Sequence, residues 1–249
     1  MKIHNIFYLS LLKSYVMRHK LLYLDIETVS CMKHWDMLNL EWRQLWEHKS
    51  RHFAEREKGL DSAAIYEAKA AIYAEFGQVI CVGLGIQDHD KFRVKAITGN
   101  EKEVLEEFFD LVEKSYGDAR QAIFIGHNIR EFDIPYLCRR AIVNGLKIPP
   151  SLDLSGTKPW EVQHIHDTLE MWRFGDYKNY TSLDLLASCL GLPTSKSDIS
   201  GKDVGHVYWQ ENDLPRIARY CIQDVILTAR VYKRIKGEPG VSDQDVVYA

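Results

Sequence analysis

Asp25 and Glu27 are the first side chains in the sequence whose placement points to chemistry. They stand at the end of a short apolar run, Leu21–Ile26, which is predicted to be a buried strand. Carboxylates two residues apart on a strand share one face, and like charges side by side repel unless a cation neutralises them. A strand end that reaches into solvent would carry the same pair without any chemistry, so the pair alone leaves both interpretations open.

A further carboxylate interrupts the apolar stripe of a predicted C-terminal helix. The stripe consists of Ile217, Cys221, Thr228, Val231 and Ile235. Asp224 falls in its gap, where an ionised carboxylate is costly unless it is paired or bound to a metal. Tyr220 lies four residues earlier and therefore beside Asp224 on the same helix face. Taken alone, this spacing is also typical of an ordinary helix surface.

A third group of residues follows another apolar run, Ala122–Gly126, which is also predicted to be a buried strand. The group contains Asn128, Phe132 and Asp133. Loops that follow strand ends commonly carry functional sites. For Asp133 alone, a role as the cap of the helix that begins near Pro135 is the simpler explanation.

In this order, the three groups resemble the three exonuclease motifs of the DEDD superfamily of ribonuclease H-like 3′→5′ exonucleases. Tyr220 is typical of the DEDDy branch. The segment Phe132–Ala141 resembles the proofreading domain of family B DNA polymerases. The segment Ala74–Cys81 is similar to stand-alone bacterial relatives of that domain. The resemblance extends from about Leu21 to Ile235.

The resemblance implies a 3′→5′ exonuclease that hydrolyses single-stranded DNA ends to 5′-mononucleotides. The carboxylates of Asp25, Glu27, Asp133 and Asp224 are hard oxygen ligands, which suit Mg²⁺ or Mn²⁺, and two such ions can act together on a phosphodiester. By resemblance, Asp25 bridges both ions, Glu27 and Asp224 complete their shells, and Asp133 acts partly through water. Tyr220 would orient the attacking water.

Substrate contacts are also implied by the resemblance. Asn128 and Phe132 would line the substrate strand, and Thr28 would contact the terminal nucleotide; a turn-forming Asn and a core Phe are the alternatives. Asp167 ends a predicted strand and is interpreted as a helix cap rather than as a support for the metal ligands. His127 lacks a partner at metal-ligand spacing, so the sequence gives it no role.

The order of the predicted elements indicates an α/β fold. The predicted strands are Leu21–Ile26, Gln78–Gln87, Phe92–Thr98, Ala122–Gly126 and Val162–Thr168. Helices are predicted from Asn100 through Val112, at Ile134–Asn144, at Thr181–Leu190, and from Asp213 to about Lys236. This order predicts a sheet that starts with a meander rather than a doubly wound array. With the resemblance, it predicts a ribonuclease H-like mixed β-sheet flanked by helices.

A helical insertion is predicted after the first strand, at about residues 30–76. Its first helix carries Trp42, Leu45, Trp46 and Phe53 at helical spacing and stops near Gly59. Its second helix begins at Asp61 and places Ile65, Ala68, Ile72 and Phe76 on one face. The tryptophans of the insertion predict a small helical core over one sheet edge, and a stacking platform for unpaired bases is the alternative.

The predicted domain organisation is an exonuclease domain at residues 19–236 between two less ordered ends. Residues 1–18 are predicted to form a loose extension. Residues 237–249 are predicted to form a polar, frayed tail.

The amino-acid composition excludes several classes of protein. The 249 residues are 46% apolar and 27% charged, which excludes a disordered or fibrous chain. With 32 basic and 35 acidic residues, the net charge of −3 argues against a protein that coats nucleic acid by bulk charge. Five cysteines without a CxxC pair argue against a disulfide framework and suit a reducing cytoplasm. The apolar run Ile6–Leu12 is too short to cross a membrane, so no membrane partner is expected.

Two other functions remain open from the sequence. A 3′→5′ exoribonuclease would use the same carboxylates, and the resemblance to polymerase proofreading domains favours DNA over RNA as the partner. A non-catalytic nucleic-acid-binding module on the same fold would be expected to lack one of the carboxylates, whereas all four are present.

Overall fold

A computed structural model describes residues 20–54, 59–118, 121–194 and 198–249. The predicted extension at residues 1–18 and the side chain of Phe53 lie outside the described part. Within these ranges, no helix has the length and apolar character that a membrane span requires.

Six described strands form one mixed sheet with the order β5-β4-β1-β2-β3-β6. They are β1 (Lys20–Ser30), β2 (Gly77–Asp88), β3 (Lys91–Thr98), β4 (Ala122–Gly126), β5 (Ile165–Asp167) and β6 (Val246–Tyr248). β1 is antiparallel to β2 and parallel to β4, while β2 is antiparallel to β3. β5 and β6 add in parallel to β4 and β3. The predicted α/β fold with an initial meander is confirmed.

Eight helices flank this sheet in the described part of the chain. They are α1 (Leu40–Ala54), α2 (Ser62–Lys69), α3 (Glu101–Tyr116), α4 (Asp133–Val143), α5 (Thr168–Arg173), α6 (Leu183–Cys189), α7 (Val204–His206) and α8 (Leu214–Lys236). Short 3₁₀ turns lie at Trp35–Met37, Ala70–Ile72, Pro159–Glu161 and Asp243–Asp245, and a π-helical turn at Val207–Glu211. The predicted helices are confirmed, with ends shifted by a few residues, whereas α5, α7 and the π-helical turn were not predicted.

The alternating side chains of β1 divide the core into two layers. Leu22, Leu24 and Ile26 face one layer, which contains apolar side chains of α3 and α4. Tyr23 faces the other layer, where it packs with side chains of α8. Since strand side chains alternate, the odd-numbered residues that follow Tyr23 point to the same side as α8. The local pattern of β1 therefore directs its two acidic side chains toward the final helix.

The insertion between β1 and β2 forms a small core of its own. Trp46 is fully buried and contacts the rings of Tyr66 and Phe76 edge-on. Leu45 is half exposed, so the prediction that it shares this buried stripe is wrong.

The predicted face of α2 is also partly wrong. Ile65 is buried, but Ala68 and Ile72 are exposed. For Ile72 the cause is local, because α2 gives way at Ala70 to a 3₁₀ turn with three residues per turn. The tighter turn rotates Ile72 off the buried face.

The segment after Gly237 is ordered in the structure, which corrects the prediction of a frayed tail. Val246–Tyr248 form β6, whose residues pair with Phe92–Val94 of β3. The Arg230 guanidinium also binds the Val241 carbonyl at 3.0 Å. These long-range contacts hold a segment whose apolar run is too short, among polar neighbours, to predict a strand.

Candidate active site

The free edge of β1 beyond the end of β4 positions the first metal-ligand candidates. Pairing of β1 with β4 ends at Tyr23 and Ile125, while β1 continues to Ser30. Beyond that point no described residue of β4 pairs with β1, and the Ile26 amide donates its hydrogen bond to Asp133 Oδ1 instead, at 3.2 Å. A residue from the start of α4 is thereby fixed against the centre of β1.

A glycine on β2 allows α8 to come close to the acidic pair. Asp25 lies opposite Gly83 in the β1–β2 ladder. A Cβ at Gly83 would lie only 2.7 Å from Cys221 Sγ, so only glycine permits this approach. Cys221 Sγ in turn lies 3.4 Å from Asp25 Oδ2. One ligand atom from each of Asp25, Glu27 and Cys221 falls within 4.8 Å of the others.

Asp224 and Tyr220 complete the site from α8. Tyr220 lies one helical turn before Asp224 on the same face of α8, and after burial Asp224 is the next cause of the raised pKa of the Tyr220 hydroxyl. Asp224 is close enough to raise the pKa values of both Asp25 and Glu27 by charge repulsion. The structure thus brings together the four carboxylates and the tyrosine that the sequence singles out.

The four carboxyl groups hold protons more tightly than ordinary carboxyls. Burial, followed by repulsion from the neighbouring carboxylates, raises the pKa values of Asp25 and Glu27 well above their usual range. Burial raises the pKa of Asp133 to about 7 and that of Asp224 to about 7. In the described part of the chain, no Lys, Arg or His forms a salt bridge with any of the four. Crowded oxygen donors without a cationic partner fit a divalent cation such as Mg²⁺ or Mn²⁺.

Tyr220 is suited to donating a hydrogen bond and unsuited to accepting a proton. Burial, together with the nearby charges of Asp224, Glu27 and Asp25, raises its pKa far above the usual value for a phenol. The hydroxyl therefore stays protonated at neutral pH and can act only by orienting another group.

The loop between β4 and α4 is held by Asp167, which is almost completely buried at the end of β5. Its carboxylate accepts hydrogen bonds from the amides of Leu169, Asn128 and Arg130 at 2.9, 2.9 and 3.1 Å. The predicted role as a helix cap is confirmed at α5. The two additional bonds hold Asn128 in a left-handed conformation, with φ of 63°, which Asn tolerates better than most residues.

The three predicted substrate contacts lie around this centre. Thr28 follows a bulge in β1, and its Oγ1 donates a 2.8 Å hydrogen bond to the Ala71 carbonyl of the insertion. Phe132 is half buried and its ring lies 5.4 Å from that of Tyr136. Asn128 is likewise half buried. Thr28 therefore has a structural partner for its hydroxyl, and the roles of all three toward a substrate stay predictions.

Comparison with known families settles the class of the chain. The model of a family described as a predicted 3′-5′ exonuclease related to the exonuclease domain of PolB matches residues 69–246. The chain belongs to this exonuclease family. The matched stretch includes Asp133, Tyr220 and Asp224, whereas Asp25 and Glu27 precede it.

Two archaeal DNA polymerases are similar to part of this exonuclease. One, from Archaeoglobus fulgidus, is 27% identical over 164 residues, which are 63% of this chain and 20% of the polymerase. Another, from Thermococcus litoralis, is 22% identical over 185 residues, which are 64% of this chain and 10% of the polymerase. The exonuclease thus corresponds to only a fifth or less of the length of these relatives.

Sequence reasoning missed two neighbours of the acidic centre. Cys221 was assigned only to the apolar stripe of the last helix, yet its thiol contacts Asp25. Asp184, in the first turn of α6, lies close enough to raise the pKa of Asp224. A glycine inside a buried strand can mark a close backbone approach, so Gly83 was the one signal that could have pointed to Cys221. Nothing local marks Asp184.

Proposed function

We propose that this exonuclease hydrolyses single-stranded DNA from its 3′ end to 5′-mononucleotides, using two divalent cations. The observation that supports the proposal is the meeting of Asp25, Glu27, Asp133 and Asp224 from three separate elements. Glu27 and Asp133 are buried, Asp25 and Asp224 are half-buried, and none of the four forms a salt bridge with a Lys, Arg or His that the structure describes. Such an arrangement opposes folding through charge repulsion, so its persistence is best explained by a bound cation.

Each residue has a definite task in this proposal. Asp25, Glu27 and Asp224 would hold the cations directly, and Asp133 would act partly through water. Bound Mg²⁺ or Mn²⁺ supplies acidity to a water molecule and stabilises the leaving 3′ oxygen. Tyr220 would orient the attacking water by a hydrogen bond from its hydroxyl.

DNA is the proposed substrate rather than RNA because the similar curated proteins are named DNA polymerases. The polymerase activity of those longer proteins is not part of the proposal. We further propose a reducing, cytoplasmic location, since all five cysteines are free. The catalytic domain is proposed to extend from β1 through β6, because β6 belongs to the central sheet.

A single-strand degradation assay tests the function. A 5′-labelled DNA oligomer should shorten one nucleotide at a time in Mg²⁺ or Mn²⁺, release 5′-monophosphates, and stay intact in EDTA. An RNA oligomer of the same sequence tests the preference for DNA, and a circular DNA of the same sequence should resist. Asp25→Asn and Asp224→Asn should abolish degradation.

The matched control is Asp110→Asn, which removes an exposed carboxylate from α3 that pairs with Lys114. It should be as active as the wild type. Degradation by the Asp25→Asn variant, or by the wild type in EDTA, would contradict the two-cation proposal. Cleavage of circular and linear DNA at equal rates would contradict exonuclease polarity.

A further inference from the structure

Three exposed aromatic side chains lie on the segment that connects α5 to α6, here called the aromatic loop (Phe174–Tyr180). The exposed fractions of Phe174, Tyr177 and Tyr180 are 87%, 75% and 63%. Single exposed apolar residues are common on proteins, but a cluster of large rings marks an interaction surface. The aromatic loop therefore offers ring faces to a partner.

Phe174 is unfavourable for folding in two ways: its ring is exposed, and its backbone conformation is strained. It ends α5 with φ of 45° and ψ of 36°, in the left-handed region where glycine is the usual residue. A bulky side chain in that conformation is strained. Backbone strain at an exposed apolar residue does not stabilise the fold, and such strained positions cluster at functional sites.

The aromatic loop is anchored to the end of β4, just before the stretch that leads to Asp133. His127, at the end of β4, is hydrogen-bonded through Nε2 to the Thr181 carbonyl at 2.9 Å and through Nδ1 to the Thr168 hydroxyl at 2.9 Å. Its ring also contacts Tyr180 edge-on at 6.4 Å. Burial, followed by the nearby charges of Asp167 and Asp133, raises the pKa of the Tyr180 phenol.

Positive charge lies under and along the same loop. The Arg173 guanidinium sits 5.9 Å from the centre of the Tyr177 ring, and its nearest described carboxylate, that of Glu131, is 4.0 Å away. Lys178 is exposed on the loop itself and has no ion pair within the described ranges. Ring faces interleaved with cations match the bases and phosphates of a nucleic acid strand.

We propose that the aromatic loop is a stacking platform for the unpaired bases of the single strand whose 3′ end is hydrolysed, with the exposed Lys178 facing its phosphates. The inference rests on the proposed function and adds how that site holds its substrate. Stacking accepts every base, so the platform should confer binding with little sequence preference. Of the tryptophans of the insertion, Trp46 is buried in the small core there and cannot stack on a base, whereas Trp42 is 39% exposed.

Binding measured without hydrolysis tests this inference separately from the proposed function. The probe is a 5′-fluorescein-labelled thymidine oligomer, titrated with protein in Ca²⁺ and followed by fluorescence anisotropy. Removing one stacking ring in Tyr177→Ala or Tyr180→Ala should weaken binding roughly 5- to 150-fold. Tyr180→Phe, which keeps the ring face, should bind like the wild type.

The matched control is Tyr248→Ala, which removes an equally exposed ring from β6, on the opposite edge of the sheet. It should not change the affinity. A series of oligomers with one abasic position near the 3′ end gives the second readout. If Tyr180 stacks on a base, Tyr180→Ala should weaken binding of the intact oligomer and have no further effect on the oligomer that lacks that base.

The outcomes separate the two proposals. Failure of the wild type to degrade any 3′-ended strand would contradict the proposed function. A wild type that degrades DNA while the loop variants keep full affinity would overturn the stacking platform alone. The platform would also be overturned if Phe174→Ala changed only self-association of the protein in sedimentation, since the loop would then be a protein interface.

Discussion

Replacing Asp133 by Asn removes one charge from the acidic centre and keeps an oxygen acceptor for the Ile26 amide. The Asp133 side chain is 4% exposed, and burial raises its pKa from 3.8 to about 7. A shift of about three units corresponds to ~4 kcal/mol of free energy that the ionised group costs the metal-free fold. A typical domain has a free energy of unfolding of about 5–15 kcal/mol, so this cost is a large fraction of it.

The pH dependence gives the prediction its sign. Below pH 3.8, Asp133 is protonated in both folded and unfolded protein, so it contributes no penalty. Between pH 3.8 and about pH 7, Asp133 is ionised in the unfolded chain but still protonated in the folded protein. The free energy of unfolding of the wild type therefore falls as the pH rises through this range. The Asp133→Asn variant should therefore gain little near pH 4 and up to ~4 kcal/mol above pH 7.

Thermal unfolding in EDTA, measured from pH 4 to pH 8, is the assay. For a chain of this size, the gain corresponds to a rise in Tm of about 8 to 16 °C at pH 8. Saturating Mg²⁺ should reverse the order, because the wild type binds the cation better than the variant does. Equal gains at pH 4 and pH 8 would show that packing, not charge, is responsible, and no gain at pH 8 would refute the reasoning.

Two further variants address individual contacts. Tyr220→Phe keeps the ring and removes the hydroxyl beside Asp224. Turnover should fall roughly tenfold to a thousandfold, with little change in Tm or in the metal concentration for half-maximal activity. Full activity at low metal concentration would make Tyr220 a structural residue. Gly83→Ala places a Cβ 2.7 Å from Cys221 Sγ, so unfolding should require ~1–3 kcal/mol less and activity should drop as α8 moves away from β1. Gly205→Ala, where no atom lies within 4 Å of the added Cβ, should leave both unchanged, and equal effects of the two glycine variants would contradict close packing as the cause.

Local interactions were predictable from the sequence. Asn100, Asp61 and Asp213 were predicted to begin helices, and each side chain accepts a hydrogen bond from an amide two or three residues later. Such caps need only a short stretch of chain. The carboxylates were predictable for a related reason, since an ionised group is conspicuous within an apolar run.

Contacts between distant segments were not predictable in the same way. Val246–Tyr248 are strand-forming residue types, but a run of three is too short to predict a strand, and β6 forms by pairing with β3. The contact of Cys221 with Asp25 depends on the packing of α8 across Gly83, which no periodicity describes. The exposed rings of the aromatic loop gave no signal either, because exposure is a property of the tertiary structure.

The separation of the site residues along the chain has a consequence for biosynthesis. Asp25 and Cys221, which touch in the folded protein, are 196 residues apart. Ribosomes add about 5–20 residues per second, so about 10–40 s pass between the synthesis of the two. During that interval the nascent chain holds Asp25 and Glu27 without Tyr220 or Asp224. The proposed hydrolytic centre is therefore assembled only when α8 docks, and a nascent or interrupted chain that stops before α8 has an incomplete set of metal ligands.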